Sequence, residues 1–245
     1  MTRLIAATAI ALLPACAHTN QSDMSQTPRS GLHHRTITID GVDHRYAIYV
    51  PRDLDPSSPT ACVIFLNGRG ECGTDGTKQL AVGLFPAVML DAASWPCILL
   101  FPQKPDPRTQ WEDHEPLVLG VLDRARKEFM IDPARIALTG LSQGGHGTWV
   151  IGGRHPDLFS KLAPICGYGD APSIAAGVSG LPVRAFHGMK DNVVPASMSQ
   201  SIIDAIRALN PNADVTLTLY PEADHNSWDR AYRDEKLGAW LTSPR

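Results

Sequence analysis

Apolar residues in this chain gather into short runs separated by longer mixed stretches. Runs occur at Ala61 to Leu66, Cys97 to Phe101, Arg135 to Thr139, Leu162 to Cys166, Val183 to Phe186 and Val215 to Leu219. Most lack polar alternation, the pattern of strands buried on both faces of a parallel sheet; the last alternates, as a half-exposed strand does. Ahead of them, Thr36 to Ile39 and His44 to Val50 alternate around Asp40-Gly41, which predicts an antiparallel hairpin with a tight turn. Two helices are well marked between the runs. One spans Leu117 to Met130, with Leu117, Val121, Leu122 and Ala125 on one face, and one spans Pro195 to Leu209 and opens on proline. The pattern predicts an α/β fold: a mostly parallel twisted sheet with an antiparallel N-terminal hairpin and helices on both faces. Strand C-terminal ends then share one edge, where sites form.

Gly140-Leu141-Ser142-Gln143-Gly144 follows one of these runs directly and precedes a helix-like stretch. A serine on a sharp strand-to-helix turn is lifted out of the sheet, and flanking glycines remove side chains that would clash there. Ser142 is therefore the candidate nucleophile. It needs an imidazole base and an acid to orient that base, which follow such an elbow in the order acid, then histidine. Of the nine histidines, only His155, His187 and His225 lie well beyond Ser142, and His155 falls in or at the end of the elbow helix. Asp191 follows the strand end at His187, and His225 is the only histidine after it, so Asp191 is the candidate acid and His225 the candidate base. Asp170 is the alternative acid if the strands are miscounted. His187 reads as a structural histidine, Asp224 as a turn residue, and His146 as a packed or solvent-facing residue of the first helical turn. The oxyanion formed by attack needs two amide donors. The N–H of Gln143 is one candidate, and the backbone of Arg69, in the loop Asn67-Gly68-Arg69-Gly70-Glu71 after an early strand, is the other.

Phe65 to Glu71, Gly140 to Trp149, His187-Gly188 with Asp191, and His225 to Trp228 together resemble the compact α/β-hydrolases of the phospholipase/carboxylesterase type. The nearest group is that of the predicted peptidases related to polyhydroxybutyrate depolymerases and feruloyl esterases. The resemblance implies an α/β-hydrolase fold from about residue 35 to the C-terminus and the catalytic machinery of a serine hydrolase. No segment is long and apolar enough to form a large lid, and an open site that gives little leaving-group assistance suits an alcohol, so the expected substrates are short-chain, aryl or carbohydrate-linked esters. That group usually has His-Gly where this chain has Asn67-Gly68; asparagine can brace the same loop through backbone hydrogen bonds. A peptidase for small peptides would share every residue named, and a non-catalytic envelope lipoprotein that kept the elbow as scaffold is a third reading. Pro102 to Glu115 with Trp111, and Trp228 three residues past His225, are the expected walls of an open cleft. The cations of Arg69 and Lys190 are candidates for a substrate carboxylate, surface charge being the plainer reading. No metal or cofactor is expected.

The N-terminus bears on location. Leu4 to Leu13 is apolar but too short to span a bilayer, and Leu13-Pro14-Ala15-Cys16 resembles a bacterial lipobox. Residues 1–15 are expected as a signal peptide, 16–33 as a flexible tether and 34–245 as one catalytic domain. With Cys16 lipidated, the chain would sit on a membrane in the periplasm or at the outer membrane; otherwise it would be secreted. The net charge of −3 and the lack of any basic block argue against a nucleic-acid partner. Of the other cysteines, Cys62 and Cys97 fall in apolar strands as small hydrophobes, while Cys72 and Cys166 lie near strand ends, where a bridge between them is one of three possible connectivities.

Overall fold

The computed structural model describes residues 29–245. The expected signal peptide, Cys16 and most of the expected tether lie outside those residues. β1 (Gly31–Ile39) begins inside the stretch expected as tether, because its first three residues already pair with the end of β2 (Val42–Val50). The turn between them is the expected Asp40-Gly41, with φ of 50° and 78°, the positive angles of a tight hairpin.

The remaining strands are β3 (Thr60–Leu66), β4 (Ile98–Pro102), β5 (Ile131–Leu141), β6 (Lys161–Ile165), β7 (Val183–Gly188) and β8 (Val215–Tyr220). They form one eight-stranded sheet in the order β1-β2-β4-β3-β5-β6-β7-β8. Pairing is antiparallel for β1 with β2 and for β2 with β4, and parallel from β4 through β8. The continuous apolar runs became central strands because both of their faces are covered: in β3, Cys62, Ile64 and Leu66 face one core, and Ala61, Val63 and Phe65 the other.

Helix α1 (Leu84–Leu90) shares its side of the sheet with two short C-terminal helices, α6 (Trp228–Asp234) and α7 (Leu237–Thr242). On the opposite face lie α2 (Glu115–Glu128), α3 (Gln143–Arg154), α4 (Ala171–Val178) and α5 (Ala196–Leu209). α2 starts and stops two residues before the expected span. Phe129 turns extended and Met130 gives its carbonyl to Thr60 N at 2.8 Å, so the chain leaves the helix to enter the sheet. Asp170, the alternative acid, caps α4 by accepting from Ser173 N at 3.1 Å. The four cysteines of the described residues are free and buried, so the bridge considered between Cys72 and Cys166 does not form. No helix among the described residues is long and apolar enough to cross a membrane.

The β5–α3 junction is where the fold is tightest. A Cβ on Gly144 would lie 1.9 Å from the Leu66 carbonyl oxygen, and one on Gly140 would lie 2.5 Å from the Gly144 carbonyl oxygen. Both neighbours are backbone and cannot yield as a side chain can. Gly144→Ala is expected to destabilise the fold by about 3 kcal/mol or to prevent folding, read by denaturant unfolding of the purified variant.

Candidate active site

Ser142 occupies the turn between β5 and α3 with φ of 55°, a region non-glycine residues seldom enter. Its conformation is held from both sides. Ser142 N donates to the Ile165 carbonyl at 2.9 Å, and the Ser142 carbonyl accepts from His146 N at 2.9 Å.

His225 Nε2 lies 3.0 Å from Ser142 Oγ, and its Nδ1 lies 2.7 Å from Asp191 Oδ2. Residues from three separate loops, 83 and 34 positions apart, thus form one hydrogen-bonded chain. Asp191 Oδ1 accepts from Val193 N and Val194 N, both at 2.8 Å. Burial pushes the Asp191 carboxyl up, but the His225 hydrogen bond and the two amides outweigh it and hold the group below its ordinary value. A serine hydroxyl in such a chain can pass its proton to the imidazole, and the carboxylate fixes the tautomer and steadies the imidazolium.

The other histidines take supporting places. His187 is fully buried; its Nε2 donates to the Val194 carbonyl at 2.9 Å, and its Nδ1 faces Ser199 Oγ at 2.8 Å. Burial holds its pKa down and keeps the ring neutral beside Asp191, so it braces the acid loop, as a structural histidine would. His146 pairs with Glu112 at 3.0 Å and stacks on Tyr168 at 4.7 Å, a packed role. Asp224 accepts from Asn226 N at 2.9 Å, closing a turn.

A cavity of about 600 Å³ opens over Ser142. Arg69, Gln143, His225 and Trp228 all line it. Gln143 is the first residue of α3 and Arg69 the first of a short 3₁₀ turn, so neither amide has a partner inside its own turn. The loop that carries Arg69 is braced by Asn67. Its Nδ2 donates to the Gly68 carbonyl at 2.7 Å, and its Oδ1 accepts from Lys104 N at 3.1 Å. Trp228 meets the His225 ring edge to face at 5.4 Å.

Trp111 is a correction. It is wholly buried, donates from Nε1 to the Asn67 carbonyl at 2.9 Å and packs against Gly147, so it supports the floor of the cleft and does not reach a substrate. Lys190 is engaged by Glu222, away from the cleft, while Arg69 has no carboxylate partner among the described residues. Sequence reasoning missed Glu71, Tyr168, Val194 and Met198 as lining residues. Glu71 and Tyr168 neighbour the glycines of their loops, which was the one available signal; Met198 faces the cleft only through the way α5 docks.

Cys166 Sγ, an Asp191 oxygen and a His225 nitrogen lie within 4.8 Å of one another, the one cluster of potential metal ligands among the described residues. Burial above all pushes the Cys166 thiol up to about 12, and His225 and Asp191 are bonded to each other, so the set is a poor fit for an ion.

The sequence signature of the dienelactone hydrolase family matches residues 113–236, just over half of the chain and a span that holds Ser142, Asp191 and His225. The chain belongs to that family. It is similar to a putative carboxymethylenebutenolidase of Yersinia pestis, 30% identical over 105 residues that make up 38% of this chain and 38% of that protein. A solved thermostable esterase aligns with a TM-score of 0.74 at 29% identity, over 86% of this chain and 62% of its own. This dienelactone hydrolase family member thus spans 38% of the first relative's length and 62% of the second's, less than two thirds of either. The feruloyl esterase module of Clostridium thermocellum, solved with sinapinate, shares the fold at a TM-score of 0.70 and 16% identity, over 98% of this chain and 96% of that one.

Because the folded pKa of Asp191 is depressed, its ionisation contributes stability above the ordinary carboxylate pKa of about 3.9, lost as pH falls through the lower folded value. Asp191→Asn should therefore be less stable than the unaltered protein at neutral pH. That gap should close as pH falls below about 4, measured by unfolding across a pH series.

Proposed function

We propose that this chain is a serine hydrolase that cleaves carboxylic esters through an acyl-enzyme on Ser142. The observation that carries the reading is the unbroken hydrogen-bonded chain from Ser142 Oγ through His225 to Asp191 at the floor of the cleft. Membership of the dienelactone hydrolase family and likeness to a thermostable esterase support the choice of ester.

Ser142 attacks the carbonyl carbon while His225 Nε2 takes its proton and Asp191 stabilises the resulting imidazolium. The amides of Gln143 and Arg69 bind the oxyanion as the tetrahedral species forms; α3 aims the positive end of its dipole at the same point. His225 then protonates the leaving alcohol, which departs, and activates a water that hydrolyses the acyl-enzyme. Val193, Val194, Pro195 and Met198 give one wall of the cleft an apolar face suited to an acyl group, and Trp228 offers a ring to an aromatic or sugar moiety.

Ser142→Ala is expected to lower kcat on p-nitrophenyl acetate by on the order of 10⁶ and to abolish fluorophosphonate labelling. Retained activity would overturn the assignment, and turnover of small peptide amides with none of short esters would favour a peptidase. Export with a lipid on Cys16 completes the proposal. Palmitate labelling of the expressed full-length chain, lost in Cys16→Ser, is the expected result.

A further inference from the structure

Three local oddities meet behind His225. Cys166, just past β6, holds φ of 48°, one of four non-glycine residues with positive φ among those described; Ser142 is another. Ser227 stands at the N-cap of α6, yet its hydroxyl makes no capping bond, although capping is what serine does best there. The His225 carbonyl accepts twice, from Ser227 N at 2.9 Å and from Cys166 Sγ at 3.1 Å. The missing cap and the left-handed cysteine have one explanation, because Ser227 Oγ lies 2.7 Å from Cys166 Sγ.

We propose that the buried Cys166–Ser227 pair is a positioning device that holds His225 in line between Ser142 and Asp191; the inference rests on the ester-hydrolase reading above. A thiol has one proton. With that proton on the His225 carbonyl, the Ser227 hydroxyl donates to sulfur, giving a directed relay from Ser227 Oγ–H to Cys166 Sγ–H to the His225 carbonyl. Both side chains are fully buried, so water cannot replace either donor. Burial and the nearby Asp191 charge keep the thiol protonated, which the donor role requires.

The anchor is well placed. The residue before Cys166, Ile165, accepts Ser142 N at 2.9 Å, and Cys166 N donates to the Phe186 carbonyl at 2.9 Å. The end of β6 therefore holds the nucleophile's backbone and the base's backbone through adjacent residues, so their separation cannot drift with the β8–α6 loop alone. A left-handed backbone at Cys166 turns its side chain to this loop; the strain is tolerated where the geometry is needed.

The test compares Cys166→Ala, Cys166→Ser, Ser227→Ala and the Ala/Ala double variant, with active sites counted by fluorophosphonate. Cys166→Ala should lower kcat per titrated site about tenfold at unchanged KM for p-nitrophenyl acetate, and slow phosphonylation of Ser142 in parallel. Cys166→Ser keeps a donor and should recover most of that loss. Ser227→Ala should cost about threefold and add nothing in the double variant, since the pair acts as one unit. Unchanged kcat per titrated site in Cys166→Ala, equal losses in the Ala and Ser variants, or additive losses in the double would each overturn the proposal. Should Cys166→Ala not fold, Cys166→Ser and Ser227→Ala still decide it: the expected result is a small loss in each with unchanged KM, and wild-type kcat in Ser227→Ala overturns it. If unaltered protein turns over no ester and takes no phosphonate, the ester-hydrolase reading fails instead, which separates the two.

Discussion

The close approach of the α3 backbone to the end of β3 is the constraint on which the rest of this molecule depends. Gly144 passes so near the Leu66 carbonyl that no side chain fits between them. That contact forces β5 to turn sharply at Ser142, which accepts a left-handed backbone and presents its hydroxyl above the sheet edge. It also brings the start of α3 beside the loop after β3, so that the Gln143 and Arg69 backbones line the same cavity. Trp111 keeps the arrangement from loosening: its ring packs on Gly147, and its indole nitrogen holds the Asn67 carbonyl.

Electrostatics in the site follow from burial answered by donors. The Asp191 side chain is sealed from solvent, where an unpaired carboxylate would be costly, yet one oxygen takes two backbone amides and the other takes His225. His187 could have competed for that carboxylate, lying 3.2 Å from Oδ2. Burial keeps it neutral, and its Nε2 hydrogen is directed to the Val194 carbonyl, so the acid remains matched to His225. The same logic governs the loop of residues 103–110, where the buried Lys104 ammonium donates to the Asp106 and Thr109 carbonyls, both at 2.6 Å. A rigid loop results, and Gln143 Nε2 docks on its Pro107 carbonyl at 3.1 Å.

Much of the fold was legible in the chain because strand burial leaves a one-dimensional trace. The Asp40-Gly41 hairpin, the β3 to β8 runs and the amphipathic α2 and α5 all showed local periodicity or turn chemistry. Short helices were less visible. α4 and α6 have few residues each, and their starts read as loop until Asp170 is seen capping one and Ser227 is seen diverted from the other. Trp111 failed as a wall for a different reason. An aromatic residue in a loop beside the site carries no local mark that tells a substrate platform from a buried wedge, and the choice depends on Gly147, which lies in another element.

By itself, the sequence determined the residue types and the chain order: a glycine-flanked serine, an acid after a strand end, and a last histidine beyond it. These are legible because strand, elbow and turn are local structures whose causes lie within a few residues. Only tertiary structure decided that His225 comes within 3.0 Å of Ser142, that Asp191 is sealed, that Trp111 points inward and that Cys166 reaches the His225 carbonyl. Each of those contacts joins residues tens of positions apart, and their distances are set by how helices pack on a twisted sheet, which no local pattern encodes.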